Sequence, residues 1–118
     1  MKVRCIRLID EEVSKRSWLT VGRIYHVLSV YTIPGRRVEF RLIGDDGRTP
    51  AIHDAAQFEL VSPTVPSNWI MVWEPGRILR LRPARWHSSG FWESYFDGDP
   101  QAVELFRQEL ERMLSEDP

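Results

Sequence analysis

Short runs of alternating apolar and polar residues fill roughly the first sixty positions, and the period changes near the C-terminus. Val3 and Cys5 alternate with charged neighbours before Ile6, Leu8 and Ile9 crowd in, which predicts a first strand within Lys2–Ile9. Asp10 to Arg16 is polar, carries three acids and reads as an exposed loop. Trp18 to Gly22 leads into Arg23–Tyr31, a run rich in β-branched and aromatic residues with no breaker inside it. Ile33-Pro34-Gly35-Arg36 is a turn, with proline presetting φ and glycine accepting a positive one. Arg37–Ile43 then alternates strictly: Val38, Phe40 and Leu42 face inward, whereas Arg37, Glu39 and Arg41 face water. Asp45-Asp46-Gly47 is a hairpin signal, followed by a return strand over Thr49–His53 and a fifth strand at Phe58–Val61.

Ser62-Pro63-Thr64-Val65-Pro66-Ser67 reads as a linker, because its prolines oppose helix and central strand alike. Trp69–Trp73 and Arg77–Arg82 form a hairpin across Glu74-Pro75-Gly76. A short helix is predicted over Gly90–Asp97, with Phe91, Trp92, Tyr95 and Phe96 mostly packing inward. Asp99 then caps a helix from about 100 to 115, with Pro100 at its first position. The expected buried stripe is Val103, Phe106, Leu110 and Met113, widened by Leu105 and Leu114. Strands followed by helices point to an α+β fold. The predicted organisation is a five-stranded small β-barrel over 1–62, then a hairpin and helical segment over 63–118 packed on it.

Leu19-Thr20-Val21-Gly22-Arg23-Ile24-Tyr25-His26-Val27, the Asp45-Asp46-Gly47 hairpin and Phe58-Glu59-Leu60-Val61 together resemble the SH3-like barrels of small bacterial proteins. The resemblance covers the N-terminal half and implies an accessory, regulatory or toxin-neutralising role, since proteins of that kind often have one. Pro66-Ser67-Asn68-Trp69-Ile70 is also similar to a segment of peptide-binding SH3 domains. Those domains carry a tryptophan upstream on the ligand groove, and residues 19 to 68 contain none, so that likeness is set aside.

Composition narrows the function classes. Sixteen Lys plus Arg against seventeen Asp plus Glu leave a formal net charge of -1, which argues against a dedicated non-specific nucleic-acid coater. No apolar run approaches the roughly 18 residues that span a bilayer, so no membrane partner is expected. Arg4 and Arg7 interrupt the about 7–15 apolar residues that a signal peptide needs, which reads as a cytoplasmic start. The lone Cys5 sits in a strand pattern and reads as a small buried hydrophobe.

Catalytic and metal chemistry finds little purchase. His26, His53 and His87 occur without HxH, HxxxH or CxxC spacing, so no metal is expected. Adjacent residues of a strand point apart, so Asp54 is read as a turn cap rather than as orienting His53. Trp86-His87-Ser88-Ser89-Gly90 sets a base beside a serine but has no nucleophile elbow. The acidic clusters at Asp10-Glu11-Glu12, Asp45-Asp46 and Asp97-Gly98-Asp99 lack calcium-loop spacing, and no phosphate-cradling glycine loop occurs. No cofactor and no enzymatic activity are expected.

The sharpest feature is a charge asymmetry. Arg77, Arg80, Arg82 and Arg85 lie in a segment without an acid, and residues 93 to 118 then carry eight acids against two arginines. Arg80 and Arg82 share one strand face, with Trp73 and Trp86 flanking them. Such a surface suits a protein hot spot, where Trp and Arg are enriched. Nucleic acid is the alternative, through phosphate contact and stacking. The expected binding residues are therefore Trp73, Arg80, Arg82 and Trp86, the expected partner another protein. The competing expectation is internal pairing between the arginine strand and the acidic helix.

Overall fold

The computed structural model describes residues 1–9 and 18–118; the loop expected over Asp10–Arg16, with its acidic cluster, lies outside the described residues. Among the described residues, two antiparallel sheets and two α-helices make the fold α+β. The smaller sheet has the order β2-β1-β6, formed by β1 (Lys2–Cys5), β2 (Ile24–His26) and β6 (Phe58–Ser62). The larger has the order β5-β4-β3-β8-β7, formed by β3 (Ser29–Thr32), β4 (Val38–Ile43), β5 (Pro50–Asp54), β7 (Trp69–Glu74) and β8 (Ile78–Pro83). Helices α1 (Phe91–Phe96) and α2 (Pro100–Glu116) follow.

Neither sheet closes on itself among the described residues, so the expected five-stranded barrel is not seen as a closed sheet. The physical reason is a division at Val27 and Leu28. The run expected to be one strand breaks there, and consecutive backbone N–H groups serve different sheets. Val27 N–H donates to Met1 O at 3.0 Å and Leu28 N–H donates to Arg41 O at 2.8 Å. Both side chains are buried, but Val27 joins Val3, Cys5, Tyr25, Leu42 and Phe58, while Leu28 joins Trp86, Phe91, Phe106 and Met113. The C-terminal hairpin also enters the larger sheet, because β8 pairs with β3 through Val30↔Leu81 and Tyr31↔Arg80. Hydrogen bonding thus crosses the Ser62–Ser67 linker.

Helix α2 begins as expected: Asp99 accepts from Ala102 N–H at 3.0 Å and Pro100 opens the helix. Of its expected stripe, Phe106 and Met113 are buried and Leu105 and Leu110 pack partly buried against the same core. Ala102, Phe106, Glu109 and Met113 face inward, and Val103 is exposed. A buried glutamate needs partners, and Glu109 accepts from Asn68 Nδ2 at 2.8 Å and lies 3.5 Å from Arg85 Nη1. That pair ties the helix to the segment before β7 and to the turn after β8.

Candidate functional site

The strands of the larger sheet alternate, so each residue has a definite face. The registers Ser29↔Arg41, Tyr31↔Glu39 and Tyr31↔Arg80 place Ser29, Tyr31, Glu39, Arg41 and Arg80 on one face. Arg82 lies two positions from Arg80 and therefore shares it, beside Ser29. This face forms the floor of a groove, and Trp92 of α1 walls its end. The cavity around Arg41 has a volume of about 180 Å³, and the groove continues past Arg80 and Arg82 to the Ser88–Gly90 loop.

The guanidinium groups are held differently. Arg41 Cζ lies 3.8 Å from the centre of the Trp92 ring, and its Nη1 donates to Pro50 O at 2.7 Å. Arg80 Cζ lies 4.7 Å over Tyr31, and its Nη2 is 3.4 Å from Glu74. Arg82 Nη2 meets His87 Nδ1. A guanidinium over an aromatic ring gains roughly 0.5–2 kcal/mol and has its plane fixed by the ring. Burial pushes the Arg41 guanidinium down to about 10, the charge of Arg82 adds to this, and Glu39 opposes it. Arg82 is lowered by burial and by Arg80, with Glu74 opposing. Guanidinium groups are charged at neutral pH, so the groove holds concentrated positive charge. The Nε–H groups of Arg80 and Arg82 are buried and meet no acceptor among the described residues.

The acidic helix does not neutralise this charge. Glu104 and Glu111 both engage Arg107, the latter at 2.5 Å, and Glu116 lies 3.5 Å from Arg112. Arg85 is the arginine that reaches the helix, at Glu109. Among the described residues, Arg41 and Arg82 have no carboxylate within 4.0 Å.

The four residues expected to form one binding stripe are thereby separated. Arg80 and Arg82 lie in the groove. Trp73 stands opposite Leu79, on the reverse face of the edge strand β7, and is 63% exposed. Trp86 is 1% exposed and is a core residue, a correction to its reading as a contact residue. It sits in the short helical turn Ala84–Trp86, stacked against Phe106 at 5.0 Å and Phe91 at 6.0 Å, and its Nε1–H donates to Leu105 O at 3.4 Å.

Arg41, Tyr31 and Trp92 belong to the groove and were not singled out from the sequence. The alternation at Arg37–Ile43 marked Arg41 as polar-face, but only the β3–β8 pairing shows that face to be shared with Arg80 and Arg82. Nor does Arg41 face open water as expected, since α1 brings Trp92 over it.

His53 is 1% exposed and meets the Trp18 ring edge-on at 6.1 Å. His87 engages Arg82. Asp54 caps a helical turn, accepting from Ala56 N–H at 2.9 Å. Among the described residues no three His, Cys, Asp or Glu side chains converge as a metal set, and no helix is long and apolar enough to cross a membrane. Comparison with protein-family models, with curated proteins and with solved structures finds no match to this chain.

Proposed function

We propose that this chain is a non-catalytic binding module that recognises another protein, taking an acidic segment of that partner into the arginine groove. The observation that carries the reading is the cluster of Arg41, Arg80 and Arg82 on one sheet face, walled by Trp92 and not neutralised by the acidic helix. Arginine and aromatic residues in a partly desolvated depression have the composition of a protein hot spot. A regulatory or toxin-neutralising role, as the barrel resemblance implied, would use this same surface.

Nucleic acid suits the groove less well. The Trp92 and Tyr31 rings each carry a guanidinium group over one face, which leaves less ring surface for bases. Glu39 and Glu74 stand at the groove and repel a chain of phosphates. The partner's acids are therefore expected to be few and spaced.

The test is a calorimetric titration of the intact chain with a glutamate-rich peptide whose acids are separated by neutral residues and, separately, with single-stranded DNA. Saturable binding of the peptide, lost in Arg82→Glu with circular dichroism unchanged, is the expected result. Binding of DNA alone, with steep salt dependence, would replace this reading by the nucleic-acid one. Peptide binding unchanged in Arg82→Glu would remove the groove from the account.

A further inference from the structure

The groove contains a more specific feature than positive charge. We propose that Arg41 and Arg82, with Ser29 between them, form a preformed site for one carboxylate group. This rests on the reading of the groove as a docking surface for an acidic segment, and it names the anchor point of that segment.

Position supplies the first argument. Arg41 stands opposite Ser29 on β4, and the register Val30↔Leu81 sets Arg82 beside Ser29 on β8. Arginines on the two strands flanking β3 are separated by about 9–10 Å at the backbone. The short Ser29 side chain leaves the space between them unfilled. Arg41 and Arg82 both line the cavity over Ser29, one from each side of β3. The local cavity of about 180 Å³ has room for a side-chain carboxylate, and it is smaller than the about 300–1,000 Å³ of sites for drug-sized molecules.

Preorganisation supplies the second. The Trp92 ring at 3.8 Å and the Pro50 carbonyl at 2.7 Å fix the Arg41 guanidinium before any ligand arrives. Arg82 is braced by His87. A planar donor fork already held in place loses little freedom on binding, and it matches a planar carboxylate in two parallel hydrogen bonds.

Charge selects the ligand. Arg80 has Glu74 at 3.4 Å, so among the groove's arginines Arg41 and Arg82 are the two without a carboxylate within 4.0 Å among the described residues. Glu39 lines the same cavity, and Arg37 at 3.3 Å holds it only in part. A single negative charge balances such a site, whereas doubly charged phosphate meets repulsion from Glu39. A free small carboxylate and a partner's Asp or Glu side chain share this chemistry.

Arginine side-chain Nε–Hε resonances of the intact chain provide the readout, at constant ionic strength set with chloride. Sodium acetate, inorganic phosphate and the glutamate-rich peptide are titrated separately. Saturable shifts of Arg41 and Arg82 with acetate and with the peptide are expected. Arg41→Lys and Arg82→Lys keep the charge but lose the fork, and each is expected to weaken both ligands at least tenfold, with amide spectra showing an intact fold. Four outcomes overturn the proposal: no saturable acetate shift, an equal response to chloride, tighter binding of phosphate than of acetate, or full affinity in both lysine variants. Peptide binding without acetate binding overturns the carboxylate site and leaves the docking reading standing. Acetate binding without peptide binding does the reverse.

Discussion

The two tryptophans that flank the arginine strand have opposite fates in the fold. Trp86 stacks between Phe91 and Phe106 with its indole N–H satisfied, whereas Trp73 projects from an edge strand. Removing a buried Trp or Phe ring costs about 3–5 kcal/mol, and a surface substitution about 0.5 kcal/mol or less. In urea unfolding, Trp86→Ala is expected to lose stability on the first scale and Trp73→Ala on the second. Equal losses would contradict the placement of the two rings. Local pattern cannot separate them, because Trp86 is buried by helices that arrive from later in the chain.

Asp45 is a second residue with a measurable consequence. It accepts from Thr20 Oγ1 at 2.6 Å, Tyr25 Oη at 2.7 Å and Arg23 Nη1 at 2.9 Å. Burial pushes its carboxyl upward, but these hydrogen bonds and the Arg23 charge outweigh burial and hold it below the usual carboxylate range. A depressed folded value means the ionised form stabilises the fold above the unfolded value of about 4, and that contribution is lost as pH falls below it. Asp45→Asn is expected to flatten the acid limb of the stability curve below about pH 4. Burial, reinforced by the Asp45 hydrogen bond, pushes the Tyr25 phenol up to about 12, so stability is expected to fall as pH rises above about 10. An acid limb identical in wild type and Asp45→Asn would remove the cluster from the explanation.

At the scale of elements, the strands and helices were largely legible and their partners were not. The alternation in Arg37–Ile43, the Asp45-Asp46-Gly47 turn and the Asp99-Pro100 helix start all appear where local chemistry placed them. The break at Val27–Leu28 was hidden, because two adjacent buried residues look like one apolar strand until two cores claim them. Apolarity placed Phe106, Met113, Leu105 and Leu110 on the inner side of α2, but it could not show that Val103 and Leu114 stay exposed or that the hydrogen-bonded Glu109 is buried there. The groove shared this limit: Arg80 and Arg82 stood out as a strand face, but Arg41 lies forty residues away in sequence and joins them only through β3. One close approach between elements is testable directly. A Cβ built on Gly44 runs into the backbone carbonyl of Trp18, which also accepts from Asp45 N–H at 2.7 Å. Gly44→Ala is expected to cost about 1–3 kcal/mol in chemical denaturation, the scale of overpacking against a part that cannot yield. An unchanged midpoint would show that the Trp18 segment moves freely away from the hairpin.

Across the whole molecule, a formal net charge of -1 conceals segregated fields. The acids of α2 are met mainly by arginines of the same helix, and the arginines of the large sheet stay concentrated in a groove on the other element. Balanced totals thus coexist with a local concentration of positive charge, felt over a screening distance of about 8 Å at physiological salt. Amide shift mapping with the glutamate-rich peptide tests this most directly, because it reports where the ligand sits. The account requires the largest perturbations at Ser29, Tyr31, Arg41, Arg82 and Trp92. Perturbations centred instead on Met71, Trp73 and Leu79, across the sheet, or no perturbation at all, would contradict it.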